Sequence, residues 1–187
     1  MGKIVVTTFM SLDGVVEAPG GEEGFEHSGW VHSYANDDWL EYKLQEVLDS
    51  EALLIGRTTY ESFAGAWPER DGEFADKINA MPKYVVSTTM TLADWNNTSV
   101  LSGHFRTEVD KVKAAHRGEI QVAGSRTVVN ALKELDLVDE YHFMIFPIIL
   151  GSGFGLFDEV EDTYALSYRT TQNFDNGVVV HTYARQR

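Results

Sequence analysis

Two stretches of this chain place a glycine, hydroxyl side chains and a cation where a strand-like run gives way to a helical pattern. They are Gly56-Arg57-Thr58-Thr59-Tyr60-Glu61-Ser62 and Gly124-Ser125-Arg126-Thr127. The first follows Ala52-Leu53-Leu54-Ile55 and the second follows Ile120-Gln121-Val122-Ala123. Glycine lets the backbone turn sharply and lets a ligand come close to it. The helix that follows opens with N–H groups that have no intrahelical partner, at the positive end of its dipole. Hydroxyls and a guanidinium add donors at the same spot, so each corner suits a phosphate or pyrophosphate. One such corner is a common turn. Two suggest a dinucleotide held by both ends.

The overall charge makes those cations stand out. The 187 residues carry a net charge of −14, so an anion must be held locally against an unfavourable field. A generic nucleic-acid surface, which leans on clustered Lys and Arg, is not expected. The absence of cysteine removes disulfides, thiolate zinc sites and thiol nucleophiles. His27, His32, His104, His116, His142 and His181 are scattered without ligand spacing, so no metal is expected. No Ser-His-Asp grouping or nucleophile elbow stands out either. With 43% apolar and 12% aromatic residues, the chain reads as one globular domain over 1–187. It opens directly on Lys3-Ile4-Val5-Val6-Thr7-Thr8-Phe9, which lacks a leader pattern. No apolar run approaches the roughly 20 residues of a membrane span. A cytoplasmic protein is expected.

The elements that must position the corners alternate along the chain. Strands are expected at about 3–9, 52–55, 83–88, 98–101, 119–123, 140–149, 163–172 and 177–185. A helix over 37–49 would turn Leu40, Leu44, Val47 and Leu48 inward behind caps at Asn36 and Asp37. Another over 59–65 opens on the capping-box pattern Thr58-x-x-Glu61. Helices over 107–117 and 126–135 would bury Val109, Val112 and His116, and Val128, Val129, Leu132 and Leu135; Thr107-x-x-Asp110 resembles a further cap. Asp175-Asn176-Gly177 joins the last two strands as a hairpin. Early alternation implies parallel connections covered on both faces. The expected fold is α/β: a mostly parallel mixed sheet of about eight strands with an antiparallel C-terminal hairpin. The long segment from Ser11 to Tyr34, with Gly14, Gly20, Gly21, Gly24 and Gly29, follows the first strand, where such sheets place ligand crevices. It is either a lid, with Trp30 and His32 over a flat ring, or a solvated insert with Trp30 folded onto the body.

In order along the chain, these segments resemble the dihydrofolate reductase superfamily. Within it they are most similar to stand-alone relatives of the riboflavin-pathway pyrimidine reductase domain. The likeness rests on Ser11-Leu12-Asp13-Gly14, Gly56-Arg57-Thr58-Thr59-Tyr60-Glu61, Tyr84-Val85-Val86-Ser87-Thr88-Thr89, Val122-Ala123-Gly124-Ser125 and Leu137-Val138-Asp139-Glu140 through Pro147-Ile148-Ile149-Leu150-Gly151-Ser152-Gly153. It implies a three-layer sandwich and an NADPH-dependent reductase working as a homodimer. Its substrate would be a small heterocycle, a pteridine or a pyrimidine of the riboflavin-precursor type (5-amino-6-(5-phosphoribosylamino)uracil reductase-like).

The resemblance also implies roles. Gly56, Arg57, Thr58 and Thr59 would hold cofactor phosphate, Ser87 and Thr88 the ribose phosphate, and Gly124, Ser125, Arg126 and Thr127 the pyrophosphate. For these residues the plain alternatives stay open: Thr58 or Ser125 capping a helix, Arg57 solvated, Ser87 ending a strand. Asp13 would position substrate or relay a proton, or is simply a turn former. Asp37, Asp38 and Glu41 lie where folate reductases grip the pterin ring, and Asp38 is the choice among them. Trp30, Gly151 and Gly153 would line the substrate mouth. Without cysteine, the P-C-x-x-C signature of the bifunctional riboflavin enzymes' deaminase domain is missing. No basic pocket for a phosphoribosyl group appears beyond Arg57 and Arg126. The alternative function is a catalytically silent nucleotide- or flavin-binding module of the same fold. A third reading is an oligomeric scaffold built on the antiparallel edge.

Overall fold

The computed structural model describes residues 1–157 and 163–186. Eight strands form a single sheet: β1 (Lys3–Ser11), β2 (Ser50–Gly56), β3 (Lys83–Val86), β4 (Thr98–Leu101), β5 (Glu119–Ala123), β6 (Glu140–Phe146), β7 (Leu166–Asn173) and β8 (Val179–Arg185). Their order across the sheet is β4-β3-β2-β5-β1-β6-β8-β7. The first six are mutually parallel, while β8 runs antiparallel to both β6 and β7. The helices are α1 (Asp37–Asp49), α2 (Arg57–Ala66), α3 (Glu73–Ala80), α4 (Phe105–Ala115) and α5 (Arg126–Glu134).

Covering both faces explains why the central strands are apolar without interruption. Ala52, Leu53, Leu54 and Ile55 are each 0% exposed. Strand alternation sends Ala52 and Leu54 to one side, with Ile4, Val6, Ile120 and Val122, where Val109 and Val112 of α4 and Val128, Val129 and Leu132 of α5 pack on them. Leu53 and Ile55 face the other side, against Val47 of α1, Tyr60 of α2 and Ile78 of α3. Each such leucine or isoleucine contributes roughly 1.5–3 kcal/mol by burial. The result is the expected three-layer sandwich. Among the described residues, no helix is long and apolar enough to cross a membrane.

Chain order decides where the corners go. β5 returns to lie between β1 and β2. The turns leaving β2 and β5 are therefore neighbours at the carboxyl edge, with the exit of β1 beside them.

Several boundaries differ from expectation, each for a local reason. β6 stops at Phe146 because Pro147 has no N–H to continue the ladder. β3 stops at Val86 because the Ser87 hydroxyl accepts from the amides of Thr89 and Met90, at 3.3 and 3.0 Å, and turns the chain. The helix α3 was not expected: it starts behind Gly72 (φ 103°) and buries only Ala75 and Ile78, too few positions for a period. The Asn36 cap forms, its Oδ1 accepting from the Trp39 amide at 3.1 Å. The capping box at Thr58 does not, since Gly56 takes the cap position and Glu61 turns to Arg57. Thr107 is likewise no cap, because α4 begins at Phe105.

The orientation of α1 is the main correction. Leu40 is 47% exposed, and Trp39 is buried in its place. Val47 faces inward as expected, but the rest of the inward face runs through Trp39, Tyr42, Lys43 and Glu46. Two of those side chains are charged, which hides the face from an apolar count.

Candidate functional site

The two glycine corners clasp each other. The Gly56 amide donates to Ser125 Oγ at 2.9 Å, and the Ser125 amide donates to Thr59 Oγ1 at 3.0 Å. Ser125 Oγ–H in turn reaches Thr59 Oγ1 at 2.9 Å. Gly124 (φ 56°) and Ser125 (φ 53°) are both left-handed. A Cβ on Gly124 would lie 3.1 Å from Thr59 Oγ1, so conformation and space both call for glycine there. The clasp occupies the Ser125 hydroxyl, and Ser125 holds the cap position of α5 without a side-chain cap bond. Gly56 does the same for α2. Two helices therefore open at one place on the carboxyl edge, and no side chain caps either. Thr58 and Thr127 are exposed beside them.

Arg57 marks one flank. Its Nε donates to Glu61 Oε1 at 2.7 Å and its Nη1 to Thr89 Oγ1 at 3.0 Å. The structure thus brings Thr89 to the guanidinium; Thr88 is exposed, and the Ser87 hydroxyl closes its own turn. An open cleft of about 350 Å³ continues outward from Arg57 past Thr89 and Leu92. A larger cleft, about 720 Å³, lies farther out between α2 and Trp95, away from the glycines of both corners.

The other flank is a knot of three loops. Arg126 Nε donates to the Gly155 carbonyl at 2.6 Å, and Asn130 Nδ2 to that of Leu156 at 2.9 Å. Asp13 joins the loop after β1 to the loop after β6, accepting from Ser11 Oγ (2.6 Å), the Leu150 amide (3.1 Å) and the Gly151 amide (2.8 Å). Those donors, the Ser11 hydroxyl first and then the two amides, hold its carboxyl at about 2. Asp13 is thus an ionised acceptor that ties loops, with no proton to relay near neutrality. Gly153 (φ 112°) is a seat for the 11–34 segment rather than an opening: a Cβ there would lie 2.6 Å from Val15 Cγ1 and 3.0 Å from Phe25 Cζ. Trp30, 6% exposed, is part of the body. Its Nε1 donates to the Glu17 carbonyl at 2.9 Å and its ring meets Phe146 edge-on. Asp38 is exposed on the first turn of α1 and is not brought to the corners. Its neighbour Trp39 takes the inward direction, packed on Phe9 and Phe146, and successive helical residues diverge by about 100°.

What sequence reasoning missed lies under α1. Lys43 Nζ donates to Thr7 Oγ1 at 2.7 Å and to Glu46. Glu46 also accepts from Thr7 Oγ1 at 3.1 Å and meets His142 Nδ1 at 2.7 Å. His142 Nε2 meets Glu140 at 2.9 Å. Burial alone would raise the Glu46 carboxyl, but Lys43 and His142 outweigh it and hold it at about 2. Burial alone would lower the His142 imidazole; its bonds to Glu46 and Glu140 outweigh that and raise it. The available signal was the aromatic pair Trp39 and Tyr42, whose helical face carries Lys43 and Glu46.

A family model described as the RibD C-terminal domain matches residues 2–180. The chain belongs to the RibD C-terminal domain family. An uncharacterized protein of Bacillus subtilis (strain 168), YyaP, is 25% identical over 97% of this chain and 94% of its own. A putative riboflavin biosynthesis protein from Shewanella sp. PV-4 superposes with a TM-score of 0.78 at 23% identity, covering 99% of both chains. Dihydrofolate reductase from Enterococcus faecalis, complexed with NADP(H) and RAB-propyl, superposes with a TM-score of 0.64 at 14% identity, covering 100% of this chain and 98% of that one. The RibD-type domain thus has the dihydrofolate-reductase-like, reductase-type fold, and its family points to an oxidoreductase.

Proposed function

We propose that this RibD-type domain is an NADPH-dependent reductase that passes a hydride to a small heterocycle, a pteridine or a pyrimidine of the riboflavin-precursor type. The observation that carries the reading is the clasp among Gly56, Thr59 and Ser125, which gathers two uncapped helix starts at one place. That donor set fits a pyrophosphate-bridged dinucleotide: amides without side-chain caps, exposed hydroxyls at Thr58 and Thr127, and a glycine that leaves the backbone bare. Arg57, Thr58 and Thr59 would hold one phosphate, and Gly124, Ser125, Arg126 and Thr127 the other. Thr88 and Thr89 flank the ribose phosphate, with Ser87 shaping their turn. NADPH, when bound, supplies the hydride; the chain orients the two rings and excludes water. Asp13 fixes the S-L-D-G loop and Gly151 at the edge of that crevice.

Fluorescence titration tests the reading: NADPH binds with micromolar or better affinity, and no binding at millimolar cofactor contradicts it. A second reading, a catalytically silent nucleotide-binding module, draws on the finding that neither Asp13 nor Asp38 offers a proton to a bound ring. Single-turnover NADPH oxidation across pterins, flavins and pyrimidine intermediates separates the two, because a binder leaves the nicotinamide absorbance unchanged. The exposed edge strand β7, with Tyr168 at 61% exposure, supports a homodimer. Sedimentation of a monomer at micromolar concentration contradicts that part.

A further inference from the structure

With Asp13 ionised and tied to three donors and Asp38 in solvent, neither of the two expected acids delivers the proton that the reaction proposed above consumes. We propose that Lys43, Glu46 and His142 supply it: Lys43 protonates the substrate heteroatom as the hydride arrives, and His142 restores Lys43 through Glu46. This rests on the reductase reading.

Position is the first argument. Thr7, which accepts from Lys43, pairs with Ala123, the last residue of β5 and the one before Gly124. Thr7, the floor of the cluster, therefore lies beside the residue that leads into the second corner. Lys43 Nζ stands 5.2 Å from the centre of the Phe9 ring, and Phe9, half-buried, follows Thr7 on the same face of β1 toward the carboxyl edge. Two of the three ammonium protons have acceptors in Thr7 and Glu46, which leaves a third for a substrate atom.

Charge is the second. From α1 the cluster is faced by Tyr42, Lys43 and Glu46, and from β6 by Glu140. β1 adds Lys3 and Thr7, β5 adds Glu119 and Gln121, and Thr182 of β8 lies opposite His142. Lys3, Lys43 and a protonated His142 balance Glu46, Glu119 and Glu140. Both ring nitrogens of His142 meet carboxylate oxygens, an arrangement that favours the doubly protonated imidazolium, in which both donate. Its side chain is 14% exposed, enough for water to reload it.

The step balances. NADPH, when bound, would supply the hydride to carbon of a substrate C=N or C=O bond, and the π pair would be left on nitrogen or oxygen. That atom takes a proton from the Lys43 ammonium, leaving the amine. Glu46 accepts the His142 proton and passes its equivalent to the amine. The carboxylate is unchanged, His142 is neutral, and solvent reprotonates it.

Three measurements decide it. Ring ¹⁵N shifts should show His142 mostly with both nitrogens protonated at pH 6.5, where an unperturbed imidazole is half protonated; a ring no more than half protonated there overturns the relay and leaves the cofactor reading untouched. NADPH titration of wild type, Lys43→Met and His142→Gln should agree within twofold; no binding by wild type overturns the reductase reading itself. Steady-state oxidation of NADPH with 7,8-dihydropterin and lumazine, from pH 5.5 to 9.5, where each cycle needs Lys43 reloaded, is the third. The wild-type rate should fall as pH rises through the His142 transition. Lys43→Met should slow it at least 100-fold, and His142→Gln should abolish the pH dependence. Variants that match the wild-type rate and profile overturn the relay. A wild type that binds NADPH and reduces none of the acceptors overturns the reductase reading and the relay with it. Should Lys43→Met not fold, the pH profile of His142→Gln, which keeps a hydrogen-bonding side chain, decides alone.

Discussion

The glycine corners and the floor beneath α1 both manage charge at the carboxyl edge, from opposite materials. The corners use backbone amides, hydroxyls and glycine, held together by the Gly56–Ser125–Thr59 clasp. Their helix starts are left uncapped, so they are built to take an anion from outside. The floor uses ionised side chains, Lys43, Glu46 and His142, already matched to one another. An uncapped helix start gains from a guest, whereas a closed set of buried charges chiefly loses from disturbance. Mutations should therefore separate the two, with cofactor-binding effects at the corners and effects on stability and rate, with cofactor binding kept, at the floor.

The largest separation is expected from Glu46→Ala. It strands Lys43 and His142 in a site where Glu46 is only 9% exposed, and should cost about 3–5 kcal/mol. Thermal melting checks this, and a drop of only a degree or two contradicts it. Gly124→Val acts at the corner. A β-branched residue at φ 56°, with its Cβ pressed on Thr59, should destabilise by roughly 1–3 kcal/mol and abolish NADPH binding by the folded fraction. Arg57→Ala should leave melting nearly unchanged while weakening NADPH by about 1.5–3 kcal/mol, the worth of a charge-assisted bond. Calorimetric titration of the variant beside wild type measures it, and equal affinities assign the guanidinium to Glu61, Thr89 and solvent.

The two regions should also part company with pH. His142 has a folded value raised above the ordinary 6.5. Its stabilisation is fully present below 6.5 and is lost as pH climbs through the raised value. Asp13 has a folded value lowered to about 2 from 3.8. Its contribution is present above 3.8 and lost as pH falls toward 2. Urea melts from pH 2 to 9 should show both limbs. His142→Gln should remove the alkaline limb and, by releasing Glu46, shrink the acid one, whereas Asp13→Asn should shrink the acid limb and leave the alkaline one in place.

The same contrast explains what could be read from the sequence. The corners were legible because each is local: glycine, hydroxyl and cation within a few residues, each behind an apolar strand. The eight strands were legible for the same reason, and their alternation with helices gave the layers. The floor was not. Its partners sit 39 residues apart for Thr7 and Glu46, and 96 apart for Glu46 and His142, so the pairing exists only once β1, β6 and α1 are stacked. Counting apolar positions placed Val47 correctly and Leu40 wrongly, and it passed over Lys43 and Glu46, which can be buried only by virtue of each other. Trp30 takes the packed reading that was left open for it, and Gly153 misled in a related way. An aromatic and a glycine suggested an open mouth, yet one fills the body and the other gives room to Val15 and Phe25.

The most direct test of the account follows backbone amide shifts while NADPH is titrated into ¹⁵N-labelled protein. Amides of Arg57, Thr58 and Thr59 should move together with those of Arg126 and Thr127, along one saturation curve. Shifts confined to one corner, or two corners saturating at different concentrations, would contradict a single dinucleotide spanning both.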